Sequence, residues 1–125
     1  MTFDRTDGAT TVEVVLVLPA FMLVVLLVLQ LGMTVHSAQI VEAAAQEAVE
    51  ATRGESTGDA EARAMAVLDA AGVVVRPTVR VARSTDQVAA AVDGQAPEIV
   101  PFMALRVTGR ASAPIERFVP EPQRP

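Results

Sequence analysis

The 125-residue sequence contains no cysteine, tryptophan or tyrosine, one histidine and four phenylalanines. Without cysteine the chain has no disulfide, no thiolate metal site and no cysteine nucleophile. The single histidine, His36, is too few for a histidine-rich metal site or for the two-histidine helix of a metalloprotease. The formal net charge is −5. Because aromatic side chains are scarce and the balance is acidic, we predict no nucleic-acid partner.

Residue patterns typical of enzymes are missing from the sequence. It has no glycine-rich phosphate loop, no nucleophile elbow, and no histidine beside a serine and a carboxylate. The neighbouring carboxylates of Glu47 and Glu50 are expected on a helix surface without a pocket. We therefore predict no catalytic residue, no cofactor, no metal and no small-molecule substrate.

One uncharged apolar segment dominates the N-terminal third of the chain. Between residues 14 and 35 the clearly polar residues are Gln30 and Thr34. As a helix the segment spans roughly 33 Å at about 1.5 Å per residue. A bilayer core of about 30 Å needs roughly 20 such residues, so the segment predicts a transmembrane helix. Gln30 is expected either to bond a neighbouring helix or to lie near the outer interface.

Charges around this segment predict its orientation. Arg5 and the terminal amine precede it, and the next basic residue after it is Arg53. The positive-inside bias places the N-terminus in the cytoplasm and the C-terminal part outside the cell membrane. A cleaved secretory signal is one alternative, but its apolar core is usually about 7–15 residues long. The run here is longer, and Glu13 stands at its start.

A short motif, Gly8-Ala9-Thr10-Thr11-Val12-Glu13, precedes the apolar run. This motif is a candidate cleavage site. Because glycine has no Cβ, an extended backbone at Gly8 would fit a narrow protease cleft without a clash. Cleavage after Gly8 would free a positive amine at Ala9, one helical turn before Glu13. A carboxylate entering hydrocarbon is costly and marks a functional candidate, whereas at the interface it gains helix-dipole stabilisation and stays hydrated. Pro19 lacks an N–H donor, so we predict a helix kink there.

The stretch Gly8–Leu31 resembles the start of TadE-like proteins of tight-adherence (Flp-type) pilus systems. The resemblance implies a pseudopilin or minor pilin that a membrane-bound prepilin peptidase cuts between Gly8 and Ala9. It implies that Glu13 pairs with the mature amine of a neighbouring subunit and sets the axial register of the assembly. The implied partners are the lipid bilayer, the prepilin peptidase, a major pilin, sibling pseudopilins and inner-membrane platform proteins. The alternative is an uncleaved single-pass anchor whose outer module binds another envelope protein.

Helical periodicity continues beyond the apolar segment. The apolar residues of 36–52 form one alanine-rich stripe, which predicts that the membrane helix runs outward to Arg53-Gly54 as one rod. The stripe consists of Ile40, Val41, Ala44, Ala45, Ala48, Val49 and Ala51. Ser56 and Asp59 have the spacing of a capping box before a second helix over Asp59–Ala71, which Gly72 ends. The expected core residues of this helix are Ala62, Met65, Ala66 and Leu68.

Two strands are expected in the remaining chain. Valines alternate with polar residues over Val73–Arg83, and Pro77 restricts that strand to an edge or a bulge. The second strand covers Phe102–Ala111. Its two faces are Met103, Leu105 and Val107 on one side and Arg106, Thr108 and Arg110 on the other. Residues 84–97 are predicted to be a connector with a short helix over Gln87–Val92, ended by Asp93-Gly94.

The predicted fold class is α+β. A long N-terminal transmembrane helix continues as an amphipathic helix, followed by a short helix and a small antiparallel two-stranded β unit packed on the helices. The predicted parts of the chain are a leader (1–8), a transmembrane helix (9–35), an extracytoplasmic α+β module (36–113) and a proline-rich tail (114–125).

Overall fold

A computed structural model describes the backbone of residues 5–115, with the side chains of residue 8 and residues 10–115. The elements run in the order α1 (Arg5–Thr52), α2 (Thr57–Ala71), β1 (Val75–Arg83), β2 (Gln87–Gln95) and β3 (Arg106–Pro114). The three strands form one antiparallel sheet in the order β1-β2-β3. The α+β class is confirmed, and the sheet has three strands where two were predicted.

Helix α1 is continuous over 48 residues, as the periodicity predicted. Its N-terminal half is exposed along residues 10–24, and its C-terminal half buries the alanine-rich stripe. Val41, Ala44, Ala45 and Ala48 are fully buried. Small side chains on this stripe let other backbones approach α1 closely. The helix ends where predicted, with the Gly54 N–H donating to the Ala51 carbonyl oxygen at 3.2 Å.

Helix α2 begins two residues before its predicted start and ends where predicted. Ser56 is its N-cap: its hydroxyl accepts from the Asp59 N–H at 3.2 Å and donates to the Asp59 carboxylate at 2.7 Å. Gly72 has a φ of 66°, and its N–H donates to the Leu68 carbonyl oxygen at 3.0 Å. Glycine adopts this left-handed backbone without the Cβ clash that other residues meet, so it suits the C-terminal cap.

The predicted core face of α2 was partly wrong. Ala60, Ala64 and Leu68 are its buried residues, at a spacing of four. Met65 is half-buried, whereas Ala62 and Ala66 are exposed. Alanines occur on every face of this helix, so apolar spacing alone did not distinguish the face that contacts α1 and β1.

The predicted helix over Gln87–Val92 is wrong, because these residues belong to β2, the central strand. Alanine favours helix by intrinsic propensity. Here Ser84 instead closes a tight hairpin, since its N–H and its hydroxyl both donate to the Gln87 carbonyl oxygen at 2.8 and 3.0 Å. Alternate residues of β2 then point into the core: Val88, Ala90, Val92 and Gly94 are buried. Asp93-Gly94 accordingly continues the strand and ends no helix.

The edge strands differ from their predictions mainly in their boundaries. β1 is an edge strand, and its register with β2 shifts between Val75 and Thr78, so the prediction from Pro77 of an edge or bulge is confirmed. β3 starts at Arg106, four residues later than predicted, so Met103 and Leu105 precede the strand. Pro114, predicted to begin an extended tail, is the last residue of β3, and the rest of the predicted tail lies outside the described residues.

The sheet packs directly on the C-terminal half of α1. This packing forms the core. Gly109 of β3 lies so close to α1 that an added Cβ would overlap the backbone of Val41 and lie 2.6 Å from the Glu42 nitrogen. Carboxylates from the helices bond both edges of the sheet. Glu42 accepts from the Arg110 N–H at 3.3 Å, and Glu61 accepts from the Val81 N–H at 3.2 Å. These hydrogen bonds use N–H groups of the two edge strands, which could otherwise pair with a strand of another chain.

Candidate membrane and assembly segment

The N-terminal half of α1 presents large apolar side chains to its surroundings on all faces. Over residues 12–24 every Val, Leu, Phe and Met is exposed, and the exposed fraction reaches 65% for Val15 and 68% for Leu16. Among the described residues, this is the one helix long and apolar enough to cross a membrane, and none of its apolar window is buried in the protein. A core helix of a water-soluble protein would be covered, so exposure on this scale marks an interaction surface for lipid or apolar protein.

The candidate processing site lies in the first turns of α1. Gly8 is exposed, and a Cβ at this position would meet no atom within 4 Å. The backbone of both Gly8 and Ala9 is helical. The peptide bond between them is therefore not in the extended form that a protease cleft accepts, and cleavage would require local unwinding of this turn.

Glu13 lies on one face of α1 together with apolar residues. Thr10, Val14, Val17 and Phe21 line the same shallow cleft, at helical spacings of three and four. The carboxylate is exposed. Within the described side chains no other part of the chain covers this cleft, which has the Glu13 carboxylate near one end.

Pro19 lies inside α1, which continues through it as helix. The residue offers no N–H to the carbonyl oxygen one turn before it. The helix kink predicted there stays a prediction.

Comparison with known proteins finds a family match for this part of the chain. Residues 8–50 match the TadE-like protein family. The resemblance predicted over Gly8–Leu31 is thereby confirmed, and the match extends through most of the packed half of α1. No curated protein and no solved structure matches the chain significantly.

Within the TadE-like segment, the surroundings of Gln30 differ from both environments that the sequence predicted for it. Its side chain is polar, yet it is fully buried. Its amide nitrogen donates to the Pro97 carbonyl oxygen at 3.0 Å. Its amide oxygen accepts from the N–H groups of Ile99 and Val100 at 2.8 and 3.0 Å. Gln30 thus bonds the loop between β2 and β3 of its own chain, which neither sequence interpretation predicted. The available signal in the sequence was a polar residue within an apolar run.

Three polar side chains of the sheet, Arg80, Asp93 and Thr108, form a small hydrogen-bonded cluster on its surface. The Asp93 carboxylate accepts from the Thr108 hydroxyl at 2.9 Å and from the Arg80 guanidinium at 3.1 Å. The Thr108 hydrogen bond first, and the hydrogen bond and charge of Arg80 next, hold the pKa of Asp93 below its ordinary value. The described residues contain no group of three or more His, Asp and Glu side chains placed to hold a metal ion. The cluster of Arg80, Asp93 and Thr108 links the three strands of the sheet.

Proposed function

We propose that the chain is a TadE-like pseudopilin or minor pilin that takes part in assembling a tight-adherence (Flp-type) pilus or related secretion machinery. The supporting observation is the family match, which begins at Gly8 and covers a helix whose apolar half is exposed. In this proposal the N-terminal half of α1 spans the cell membrane once. The N-terminus is cytoplasmic, and the module of α2 and the sheet is extracytoplasmic.

The maturation step in this proposal is cleavage between Gly8 and Ala9 by a prepilin peptidase. Gly8 has open space around it, and glycine lowers the cost of unwinding the first turns of the helix. Hydrolysis of this peptide bond releases the leader and leaves a charged amine on Ala9.

Glu13 has the assembly role in this proposal. Its carboxylate lies near one end of an open apolar stripe, where a neighbouring subunit can approach. In low-dielectric surroundings an unpaired carboxylate is costly, so pairing with the Ala9 amine of the neighbour favours one axial register. The partners are then a major pilin, sibling pseudopilins and inner-membrane platform proteins, in addition to the peptidase and the bilayer.

The deciding experiment is the intact mass and N-terminal sequence of the protein extracted from membranes of its native host. A chain that begins at Ala9 supports the proposal, and Gly8→Leu should then retain the leader. Gly32→Leu is the matched control, because it changes an open glycine of the same helix outside the motif. A wild-type chain that keeps residues 1–8 contradicts processing and favours the uncleaved anchor. A chain that begins after residue 35 means that the apolar helix is removed by signal peptidase.

A further inference from the structure

The loop between β2 and β3, residues 96–105, lies beside the apolar part of α1. β3 runs along α1 in the same direction: Ala113 shares a groove with Val49, and Arg110 is bonded to Glu42. On the N-terminal side of β3, residues 97–100 lie beside Gln30 and are hydrogen-bonded to it. The loop is therefore the part of the outer module that extends furthest toward the exposed apolar half of the helix.

The tip of this loop is apolar and uncharged over residues 99–103. Phe102 is 101% exposed, compared with 42% for Val75, the other exposed large hydrophobic residue in the described chain outside α1. Pro101 beside it is also exposed, and contiguous exposed apolar surface is typical of contacts with lipid or protein.

The backbone N–H groups of residues 99–103 all have hydrogen-bond partners, apart from Pro101, which has no N–H. The N–H groups of Ile99 and Val100 donate to Gln30, and that of Met103 donates to the Val100 carbonyl oxygen at 3.1 Å. The Phe102 N–H donates to the Glu98 carboxylate. Pro97 and Pro101 have no N–H. Because unpaired backbone donors are costly in an apolar medium, a turn with its donors paired is suited to leave water.

Phe102 also occupies a backbone conformation that favours glycine. Its φ is 67°, at the third position of a turn that has Pro101 in second place. Such a turn usually places glycine or asparagine at this point. A phenylalanine held here carries strain of the kind found at functional sites.

The loop lies at a level of α1 just inside the outer end of the predicted membrane span. Gln30 lies five residues before the end of that span at residue 35, which is roughly 7–8 Å along the helix axis. Leu31 and Val35, on other faces of α1 near this level, are exposed apolar residues. The apolar loop tip and exposed apolar residues of the helix therefore lie at a similar level along α1.

We propose that residues 99–103 are a second membrane contact, in which Phe102 enters the interfacial layer of the leaflet next to the outer module. This inference rests on the membrane insertion of α1 in the proposed function. The Glu98 carboxylate limits the depth to the interface. Two points of contact, the helix and the loop joined by Gln30, fix the tilt of the module against the bilayer and so determine which of its surfaces face neighbouring subunits.

Tryptophan fluorescence tests the contact, because the chain has no tryptophan of its own. Full-length Phe102→Trp protein is reconstituted into vesicles of phosphatidylcholine and phosphatidylglycerol, with and without lipid brominated high on the acyl chain. Phe21→Trp reports the spanning helix, and Ala62→Trp on the exposed face of α2 reports the aqueous surface. We expect Phe102→Trp to show blue-shifted emission and to lose most of it to brominated lipid, as Phe21→Trp does, while Ala62→Trp keeps its emission.

Three other outcomes overturn the inference. If Phe102→Trp behaves like Ala62→Trp while Phe21→Trp is quenched, the helix is inserted and the loop is in water. If its emission is blue-shifted but brominated lipid does not quench it, protein covers the tip. If Phe21→Trp is not quenched, α1 does not span the bilayer, and the membrane part of the proposed function fails as well.

Discussion

The side chain of Gln30 donates a hydrogen bond to the carbonyl oxygen of Pro97 at 3.0 Å, across 67 residues of chain. The same amide accepts two backbone N–H groups of the loop. Three backbone groups that no strand pairs are thus satisfied by one residue of the apolar helix. Gln30 connects the loop between β2 and β3 to α1, and the position of the loop depends on it.

Gln30→Leu should destabilise the protein, because it leaves the Pro97 oxygen and two N–H groups without their partner. Leaving a buried polar group unpaired costs about 1–3 kcal/mol. The measurement is thermal unfolding in detergent, followed by circular dichroism, with limited proteolysis of the 96–105 loop. Gln46→Leu is the matched control, since Gln46 is exposed on the same helix. Equal stability of the two variants would show that the three hydrogen bonds contribute nothing measurable.

The features that the sequence did not predict depend on contacts between residues far apart in the chain. The continuous helix α1, its alanine stripe, and the capping residues Ser56 and Gly72 of α2 follow from local periodicity, capping and glycine, and the structure contains them. Gln30 was ambiguous because its partners are 67 to 70 residues away. Periodicity within the helix carries no information on such a distant loop.

The central strand β2 is the clearest case of local preference being overridden. Its Ala89-Ala90-Ala91 run has a helical propensity, and a solitary hairpin would be marginal. Two flanking strands and the surface of α1 bury every second residue of this segment instead. An alanine on a sheet that packs against an alanine-rich helix is favoured by close approach, which single-residue propensities do not include.

Gly109→Ala tests this close approach. The new methyl group would overlap the Val41 backbone, so β3 would have to move away from α1. Overpacking of this kind costs typically about 1–3 kcal/mol. Gly58→Ala on α2 is the control: the methyl group meets only the Ser56 hydroxyl at 4.0 Å, and replacing a helical glycine stabilises by up to about 1 kcal/mol. Unfolding midpoints of the two variants should therefore move in opposite directions.

Asp93 gives the module a defined acid sensitivity. Its pKa is lowered in the folded protein, chiefly by the Thr108 hydroxyl and then by Arg80. The stabilisation is therefore present above the ordinary aspartate pKa of about 3.9 and is lost as the pH falls through the lower, folded value. Asp93→Asn should be less stable than wild type at neutral pH, and the gap should close under acid.

Thr108→Val supplies the second arm of this test. It removes the largest cause of the lowered pKa and keeps the Arg80 contact, so the acid-dependent part of the stability should shrink and not vanish. The measurement is the unfolding midpoint of each variant from neutral pH to below pH 4. A gap between wild type and Asp93→Asn that is constant over this range would contradict the assignment.

The backbone strain at Phe102 predicts an order of stability between two truncations. Phe102→Gly and Phe102→Ala both remove the aromatic ring, but only glycine adopts the φ of 67° without strain. The glycine variant should be the more stable of the two by about 1 kcal/mol in detergent. Thermal unfolding of the pair checks this. The reverse order would mean that the turn does not hold this conformation in solution.

Glu13→Gln should abolish or strongly reduce pilus assembly while leaving processing intact. The substitution keeps the size of the side chain and removes the charge that pairs with the Ala9 amine of a neighbour in the proposed assembly. Intact mass then reports cleavage after Gly8, and electron microscopy of surface filaments, with cross-linking in membranes, reports assembly.

Glu50→Gln is the matched control for this prediction, because it removes an exposed carboxylate from the distal end of the same helix. It should leave both readouts at the wild-type level. A loss of cleavage in Glu13→Gln would place the carboxylate in peptidase recognition. Normal filaments in Glu13→Gln would leave the carboxylate as a hydrated interfacial group with helix-dipole stabilisation, and the axial register would then have to come from the packing of the apolar stripe alone.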